Sequence, residues 1–348
     1  MKVLITLFLS LFLSTMMSTS VIALEYPPKH LPERMTQPES AVWNTFKLRP
    51  DLTIRYVSIK PEMPKRGTIV MVHGIMESPE FNYELFRDML SLGLEVWALD
   101  LPGHGKSTRW LENSHKVFID DFATYTEALH HLRTKVMPPD IESPVYLMGT
   151  SLGGHIATRY VGEYPGFFDA LIAQVPMYGI KTGSKPEWLV RTLAYLADSF
   201  GFSDSYVLGH GDWKLWDDYQ LEKSCCTTDP ERDLATVYWR IYEPELTIGG
   251  TTYRWLNKAY DSMDMVNEES FLQKIEIPVL ILSAGNDRLV TKEAHDRSCS
   301  LMNQCEQVFF PKSKHVPTME RDEIRDRALS VIDQFISDNG LLQEAPVN

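Results

Sequence analysis

Basic residues are in short supply in this chain: 34 Lys and Arg stand against 47 Asp and Glu, a formal net charge of -13. Nucleic acid is excluded as a partner on that ground, because phosphate binding draws on clustered Lys and Arg. Cysteine is scarcer still, with four residues, Cys225, Cys226, Cys299 and Cys305. Neither pair has the spacing of a zinc knuckle and no His sits at a matching distance, so no metal site is expected. Internal repeats and low-complexity tracts are missing, which excludes repeat architectures. What is present is ordinary for a folded protein: 44% apolar and 23% charged residues, far from the composition of disordered chains.

The N-terminus reads differently from the rest. Lys2 is followed by the apolar run Val3 to Leu13, a Ser/Thr/Met stretch and Val21-Ile22-Ala23. A positive start, a short apolar segment and a small residue before the cut are the parts of a secretory signal peptide, expected over residues 1–23. The rival is an uncleaved anchor, since no charge lies between Lys2 and Glu25, but the apolar part falls short of the ~20 residues that span a bilayer. Export, periplasmic or extracellular, would place the four cysteines in an oxidising compartment, where three complete pairings are open. Cys299 with Cys305 is the most local of the options, and four buried thiols are the alternative.

Residues 24–51 begin with a proline-rich lead, Tyr26 to Pro38, and are expected as an extended arm. From 52 to 175 strands and helices alternate: strands over 53–59, 68–72, 95–99, 145–148 and 170–175, helices over 82–91, 119–136 and 152–163. Near-continuous apolar strands in such alternation predict an α/β fold, a mostly parallel sheet covered by helices on both faces. Residues 176–274 break the pattern, being rich in Trp, Tyr, Asp and Gly and helical in patches such as 187–200. So long a stretch is expected as an inserted, mainly helical lid. The alternation resumes over 275–338, with strands at 278–282 and 307–310 and helices at 291–302 and 320–337, followed by a tail over 339–348.

The strongest chemical signal is Gly149-Thr150-Ser151-Leu152-Gly153-Gly154, a Gly-x-Ser-x-Gly between an apolar strand and a helical run. That junction is where a nucleophilic serine stands on a tight, strained turn with its hydroxyl clear of the sheet. A serine hydroxyl needs a base, and the base needs a partner that fixes its tautomer. The chain order Ser, acid, His selects Asp287, just past the strand ending at Leu282, and His315, past the final strand. Asp261 and Asp264, inside the insertion, are weaker choices for the acid, and Asp287 could instead cap the helix near Thr291. His295 lies within a helical run and reads as a surface or packed residue. Donors for an oxyanion are expected from the backbone N–H groups of Leu152 and of Ile75, the latter in His73-Gly74-Ile75-Met76-Glu77 after the second strand. The loop Asp100-Leu101-Pro102-Gly103-His104-Gly105-Lys106-Ser107 lacks the ending of a phosphate cradle.

These segments together, with His73-Gly74-x-x-Glu77, Asp100-x-x-Gly103-x-Gly105-x-Ser107, Gly149-x-Ser151-x-Gly153-Gly154, the turn at Gly285 to Asp287, and His315, resemble the monoglyceride lipase and bacterial lysophospholipase group of serine-aminopeptidase-like α/β hydrolases, over about 53–336. Val175-Pro176-Met177-Tyr178-Gly179 and Ile248 to Trp255 strengthen the likeness to the lysophospholipase branch. The resemblance implies Ser151, Asp287 and His315 as a triad, Ile75 and Leu152 as oxyanion donors, and no cofactor. It departs from the group at Val316, often Glu after the base, and at Cys225-Cys226.

The substrate expected is a small amphipathic lipid ester, met as dispersed monomers, at a zwitterionic surface, or through transient membrane contact of the lid, since an acidic body is repelled by anionic lipid. Trp188, Trp213, Trp216, Trp239 and Trp255 would line an acyl pocket, or else pack lid against sheet. Two other functions fit the pattern. An exported aminopeptidase would need lid acids such as Asp217, Asp218 and Glu222 to hold a free amine, and a non-catalytic lipid-binding protein would leave Ser151 unreactive.

Overall fold

The computed structural model describes residues 26–139, 144–215 and 220–339. The expected signal segment 1–23 lies outside them, as does the tail from 340 onward. Among the described residues eight strands form one sheet: β1 (Ala41–Arg49), β2 (Leu52–Ile59), β3 (Gly67–Val72), β4 (Leu94–Leu99), β5 (Val145–Thr150), β6 (Ala170–Gln174), β7 (Val279–Ala284) and β8 (Cys305–Phe310). Their spatial order is β1-β2-β4-β3-β5-β6-β7-β8. The pairs β1 with β2 and β2 with β4 are antiparallel, and every later neighbour pair is parallel.

The helices are α1 (Tyr83–Ser91), α2 (Ala123–His131), α3 (Leu152–Glu163), α4 (Glu187–Ser199), α5 (Pro230–Tyr242), α6 (Tyr253–Val266), α7 (Glu269–Leu272), α8 (Lys292–Leu301) and α9 (Asp322–Asp338). The helix expected from 119 starts instead at Ala123, where the Asp121 carboxylate accepts the Ala123 N–H, and it finishes through a π-helical turn over Leu132–Val136.

The parallel strands are apolar throughout because both of their faces are covered. Along β5, Tyr146 and Met148 face a core shared with Phe86 of α1 and Ile332 of α9, while Leu147 faces the opposite core with Ile156 of α3 and Leu129 of α2. This is the period of two expected of a pleated strand buried on both sides.

One expectation needs correction. The described part of the stretch 24–51 is not a free extended arm: it turns through a 3-10 helix at Glu33–Met35 and ends in β1, an edge strand of the sheet. Edge strands bury little, and β1 carries the exposed Val42 beside half-buried Trp43, Phe46 and Leu48. It therefore lacks the apolar run that marked the inner strands.

Between β6 and β7 lie α4, α5, α6 and α7. Asp229 caps α5 by accepting the N–H groups of Glu231 and Arg232, with Pro230 at the first helical position, where its missing donor costs nothing. Thr252 caps α6 through the Trp255 N–H. Arg232 fastens α5 to the core through Glu84 of α1 and Asp322 of α9. Chain order reverses between β3 and β5, and a crevice outside the carboxyl ends of the strands is expected at such a switch point.

Candidate active site

β5 ends at Thr150 and α3 begins at Leu152, leaving Ser151 alone to turn the chain. It does so at φ 55° and ψ -113°, a conformation costly for any residue with a Cβ. Two glycines make the turn feasible by close approach. A Cβ on Gly149 would lie 2.2 Å from the Gly153 oxygen, and one on Gly153 would lie 2.1 Å from the Val72 oxygen. The first turn of α3 is thus pressed against the end of β3. Met76 (φ 61°), Ser151 (φ 55°) and Val175 (φ 42°) are the non-glycine residues with positive φ among the described residues. All three sit just past the carboxyl ends of β3, β5 and β6, so backbone strain gathers around one site.

The acid and the base come from the loops after β7 and β8. Asp287 Oδ1 accepts the N–H groups of Leu289 (2.7 Å) and Val290 (3.1 Å), and its Oδ2 lies 2.7 Å from His315 Nδ1. Both side chains are buried. Burial works against the Asp287 charge, but the His315 hydrogen bond and the two backbone donors outweigh it, holding the carboxyl below its ordinary range. With Nδ1 donating to Asp287, His315 Nε2 is left as the acceptor. It is buried and has no hydrogen-bond partner among the described residues. The structure therefore joins His315 to Asp287 and sets no hydrogen bond between His315 and Ser151. Such contacts are often long without substrate and tighten on binding.

The two expected oxyanion positions lie on the start of α3 and on the loop after β3, the two segments that approach closely at Gly153. Leu152 opens α3, so its N–H belongs to the first turn, whose donors have no intrahelical acceptor. Ile75 lies in the loop after β3, held by the Gly74 N–H donating to Glu77 Oε2 at 3.0 Å. The insertion reaches both sides of the site. Arg240 of α5 donates to the Met76 oxygen, and the oxygens of Cys225 and Cys226 accept the N–H groups of His315 (3.2 Å) and Val316 (2.9 Å).

Other sequence candidates fall elsewhere. Asp261 pairs with Lys258 and Asp264 with Arg191, both on the exposed side of α6. His295 is a packed residue: Nε2 donates to the Pro176 oxygen at 2.7 Å and Nδ1 accepts from the Ser283 hydroxyl at 2.9 Å. Burial lowers its pKa to about 4, so the ring is neutral. The Asp100 to Ser107 loop is structural, since Asp100 is buried against Arg55 and accepts the Lys106 N–H.

The described tryptophans of the insertion do not gather into one pocket. Trp255 is buried and donates to the Tyr125 hydroxyl, Trp239 packs edge-on against Tyr83, and Trp188 is 68% exposed on α4. Trp213 is half-buried, and Trp216, Asp217 and Asp218 lie outside the described residues; Glu222 is exposed. The cysteines form two disulfides, Cys225–Cys226 and Cys299–Cys305. Among the described residues no group of His, Cys, Asp and Glu converges to hold a metal.

Two buried polar residues outside the expected triad and oxyanion positions hold the site. Gln174 touches both the elbow and the base loop. Glu320 accepts the N–H groups of Lys314 and Thr228, tying the base loop to the insertion. The available signal for Gln174 was a polar residue closing an otherwise apolar strand.

Comparison with known proteins agrees with this fold. Residues 63–322 match the family described as Serine aminopeptidase, S33. The sequence is 26% identical over 295 residues to lysophospholipase L2 of Escherichia coli (strain K12), covering 82% of this chain and 85% of that protein. It is 32% identical over 120 residues to the monoglyceride lipase of Homo sapiens, covering 34% of this chain and 37% of that protein. A soluble variant of monoglyceride lipase from Saccharomyces cerevisiae superposes with a TM-score of 0.68 at 16% identity, over 89% of this chain and 98% of that one. A carboxyl esterase from Bacillus coagulans gives 0.68 at 18% identity, over 87% and 99%.

Proposed function

The chain belongs to the Serine aminopeptidase, S33 family, has the α/β-hydrolase fold and is a serine ester hydrolase; from that premise we propose that it cleaves carboxylic esters of lipids, as a lysophospholipase or monoacylglycerol lipase. The observation that carries the mechanism is the buried 2.7 Å contact of His315 Nδ1 with Asp287 Oδ2, which leaves Nε2 as the ring's proton acceptor. Ser151 Oγ attacks the ester carbonyl and His315 Nε2 takes its proton. The Leu152 and Ile75 N–H groups receive the oxyanion, each worth roughly 3 kcal/mol in such sites. His315 returns the proton to the leaving alcohol, and the acyl-serine is hydrolysed by water through the same base. No cofactor enters.

Lipid as the substrate class is supported by the relatives named lysophospholipase and monoglyceride lipase, and by an apolar lid surface. Trp188, Leu193, Tyr195 and Leu196 of α4, with Phe200 and Leu208 beyond it, are exposed. We read this patch as the part that touches a lipid surface transiently, and a zwitterionic one given the net charge of -13. The N-terminal apolar segment and the two disulfides support export, since disulfides persist in oxidising compartments.

A substrate panel run on wild type and Ser151→Ala tests the function. Turnover of lysophosphatidylcholine or monoacylglycerol, absent in the variant, is expected. Turnover of an aminoacyl anilide with none of the lipid esters would make the chain a peptidase, and no turnover with no fluorophosphonate labelling would make it a binding protein.

A further inference from the structure

The base loop has to be held at a set distance from the nucleophile, yet the two hang from strands that do not touch. Ser151 follows β5 and His315 follows β8, with β6 and β7 between them. Most of the base loop's contacts come from elsewhere: Asp287 from the β7 loop, Cys225 and Cys226 from the insertion, and Glu320 from just downstream. Gln174, the last residue of β6, bridges the gap directly.

Its side chain is fully buried, in a strand whose other members, Ala170, Leu171, Ile172 and Ala173, are apolar. A buried amide costs stability unless its groups are paired, and here both are. Oε1 accepts the Thr318 N–H at 3.1 Å, three residues past His315. A backbone N–H can only donate, so this contact fixes which way the amide points. Nε2 must then face Thr150, whose Oγ1 it reaches at 3.0 Å, one residue before Ser151. The main-chain oxygen of Gln174 accepts the Ser151 N–H at 2.9 Å. One residue thus grips the nucleophile's peptide, the side chain before it and the loop that carries the base.

We propose that Gln174 is a positioning residue that sets the approach of Ser151 to His315 by tying the nucleophile elbow to the base loop. This rests on the triad reading above. Proton transfer is sensitive to placement, so loosening the tie slows the chemical step while leaving the lipid-binding surfaces in place. Gln174→Met keeps length and removes both polar contacts. Gln174→Glu keeps an acceptor for the Thr318 N–H and can accept from the Thr150 hydroxyl.

The test measures kcat and KM on a lysophospholipid for the intact chain, per active site counted by the end-point of fluorophosphonate labelling, with Ser151→Ala alongside. Gln174→Met is expected to lower kcat by about tenfold to a hundredfold with KM changed less than about threefold, and Gln174→Glu to recover part of the loss. A residue that only supported the fold would lower the number of active sites and leave kcat per site unchanged. A kcat per site for Gln174→Met within about twofold of wild type, or no recovery in Gln174→Glu, overturns the proposal. Should Gln174→Met fail to fold, Thr150→Val carries the test by removing only the contact at the elbow: a fall in kcat of about threefold or more at unchanged KM supports the role, and wild-type kcat overturns it. Activity retained in Ser151→Ala would sink the triad reading itself, whereas a dead Ser151→Ala beside a fully active Gln174→Met would sink only the role of Gln174.

Discussion

His315 Nδ1 and Asp287 Oδ2 meet at 2.7 Å inside the protein, although 28 residues separate them in the chain. Asp287 uses its other oxygen on two backbone donors, so the carboxylate is held from both ends and its orientation is not free to drift. The contact dictates the tautomer of the base, and the tautomer dictates whether Nε2 can accept a proton.

Replacing Asp287 by Asn removes the charge and allows the amide to present a donor to Nδ1, which favours the unusable tautomer. A fall in kcat on the order of 10⁴ is expected, with the fold retained. Kinetics on the lipid ester with a circular dichroism control measure it; a loss under about tenfold would mean that Asp287 is not the orienting acid.

Gly153→Ala should damage both stability and chemistry. The new Cβ would stand 2.1 Å from the Val72 oxygen and 2.6 Å from the His73 oxygen, backbone atoms that can yield only by separating α3 from the Ile75 loop. A destabilisation of about 1–3 kcal/mol is expected from overpacking, together with a fall in kcat as the two oxyanion donors part. Urea unfolding and kinetics report the two effects, and wild-type values in both would contradict the close approach.

Cys299 of α8 and Cys305 at the start of β8 close a short loop at the opposite end of that strand from the base loop. Chain-entropy reasoning gives such a loop about 2 kcal/mol. The double variant Cys299→Ser/Cys305→Ser is therefore expected to lose about this much stability with kcat unchanged, and a change in kcat would place this disulfide in the working machinery.

Stability should fall as the solution is acidified through the histidine range, with Asp88, whose carboxyl burial raises to about 6, working in the opposite sense. His295 and His155 are buried and neutral, with pKa values lowered by burial to about 4 and about 3. In the unfolded chain each binds a proton near 6.5, so below that pH the unfolded state binds more protons and is favoured. The contribution of His295 is present in full above about 6.5 and declines toward pH 4, by on the order of 3 kcal/mol. Asp287, whose pKa is lowered in the fold, adds a further loss only below its unfolded value of 3.8. Urea midpoints across pH 7.5 to 4.5 should shift downward, and His295→Asn should flatten the slope; a pH-independent midpoint would show that these rings are not buried neutral.

Much of the site was legible because its signals are local. Gly149-Thr150-Ser151-Leu152-Gly153 sits on a strand-to-helix junction, and chain order then named Asp287 and His315, which the structure joins. The inner strands announced themselves by unbroken apolar runs. What could not be read depends on contacts distant in sequence. β1 is an exposed edge that borrows its order from pairing with β2, and its proline-rich approach suggested no strand. The tryptophans looked alike in the sequence, yet Trp255 found a buried hydroxyl and Trp188 found solvent. The pairing of Cys225 and Cys226 carbonyls with the base loop, and the reach of Gln174 to Thr318, leave no periodic trace at all.

The central claim is that one serine carries the chemistry. Intact protein treated with a fluorophosphonate and digested for mass spectrometry should carry the adduct on Ser151 alone, with ester turnover lost in proportion to labelling and neither labelling nor turnover in Ser151→Ala. An adduct on another residue, or turnover that survives full modification of Ser151, would contradict the account.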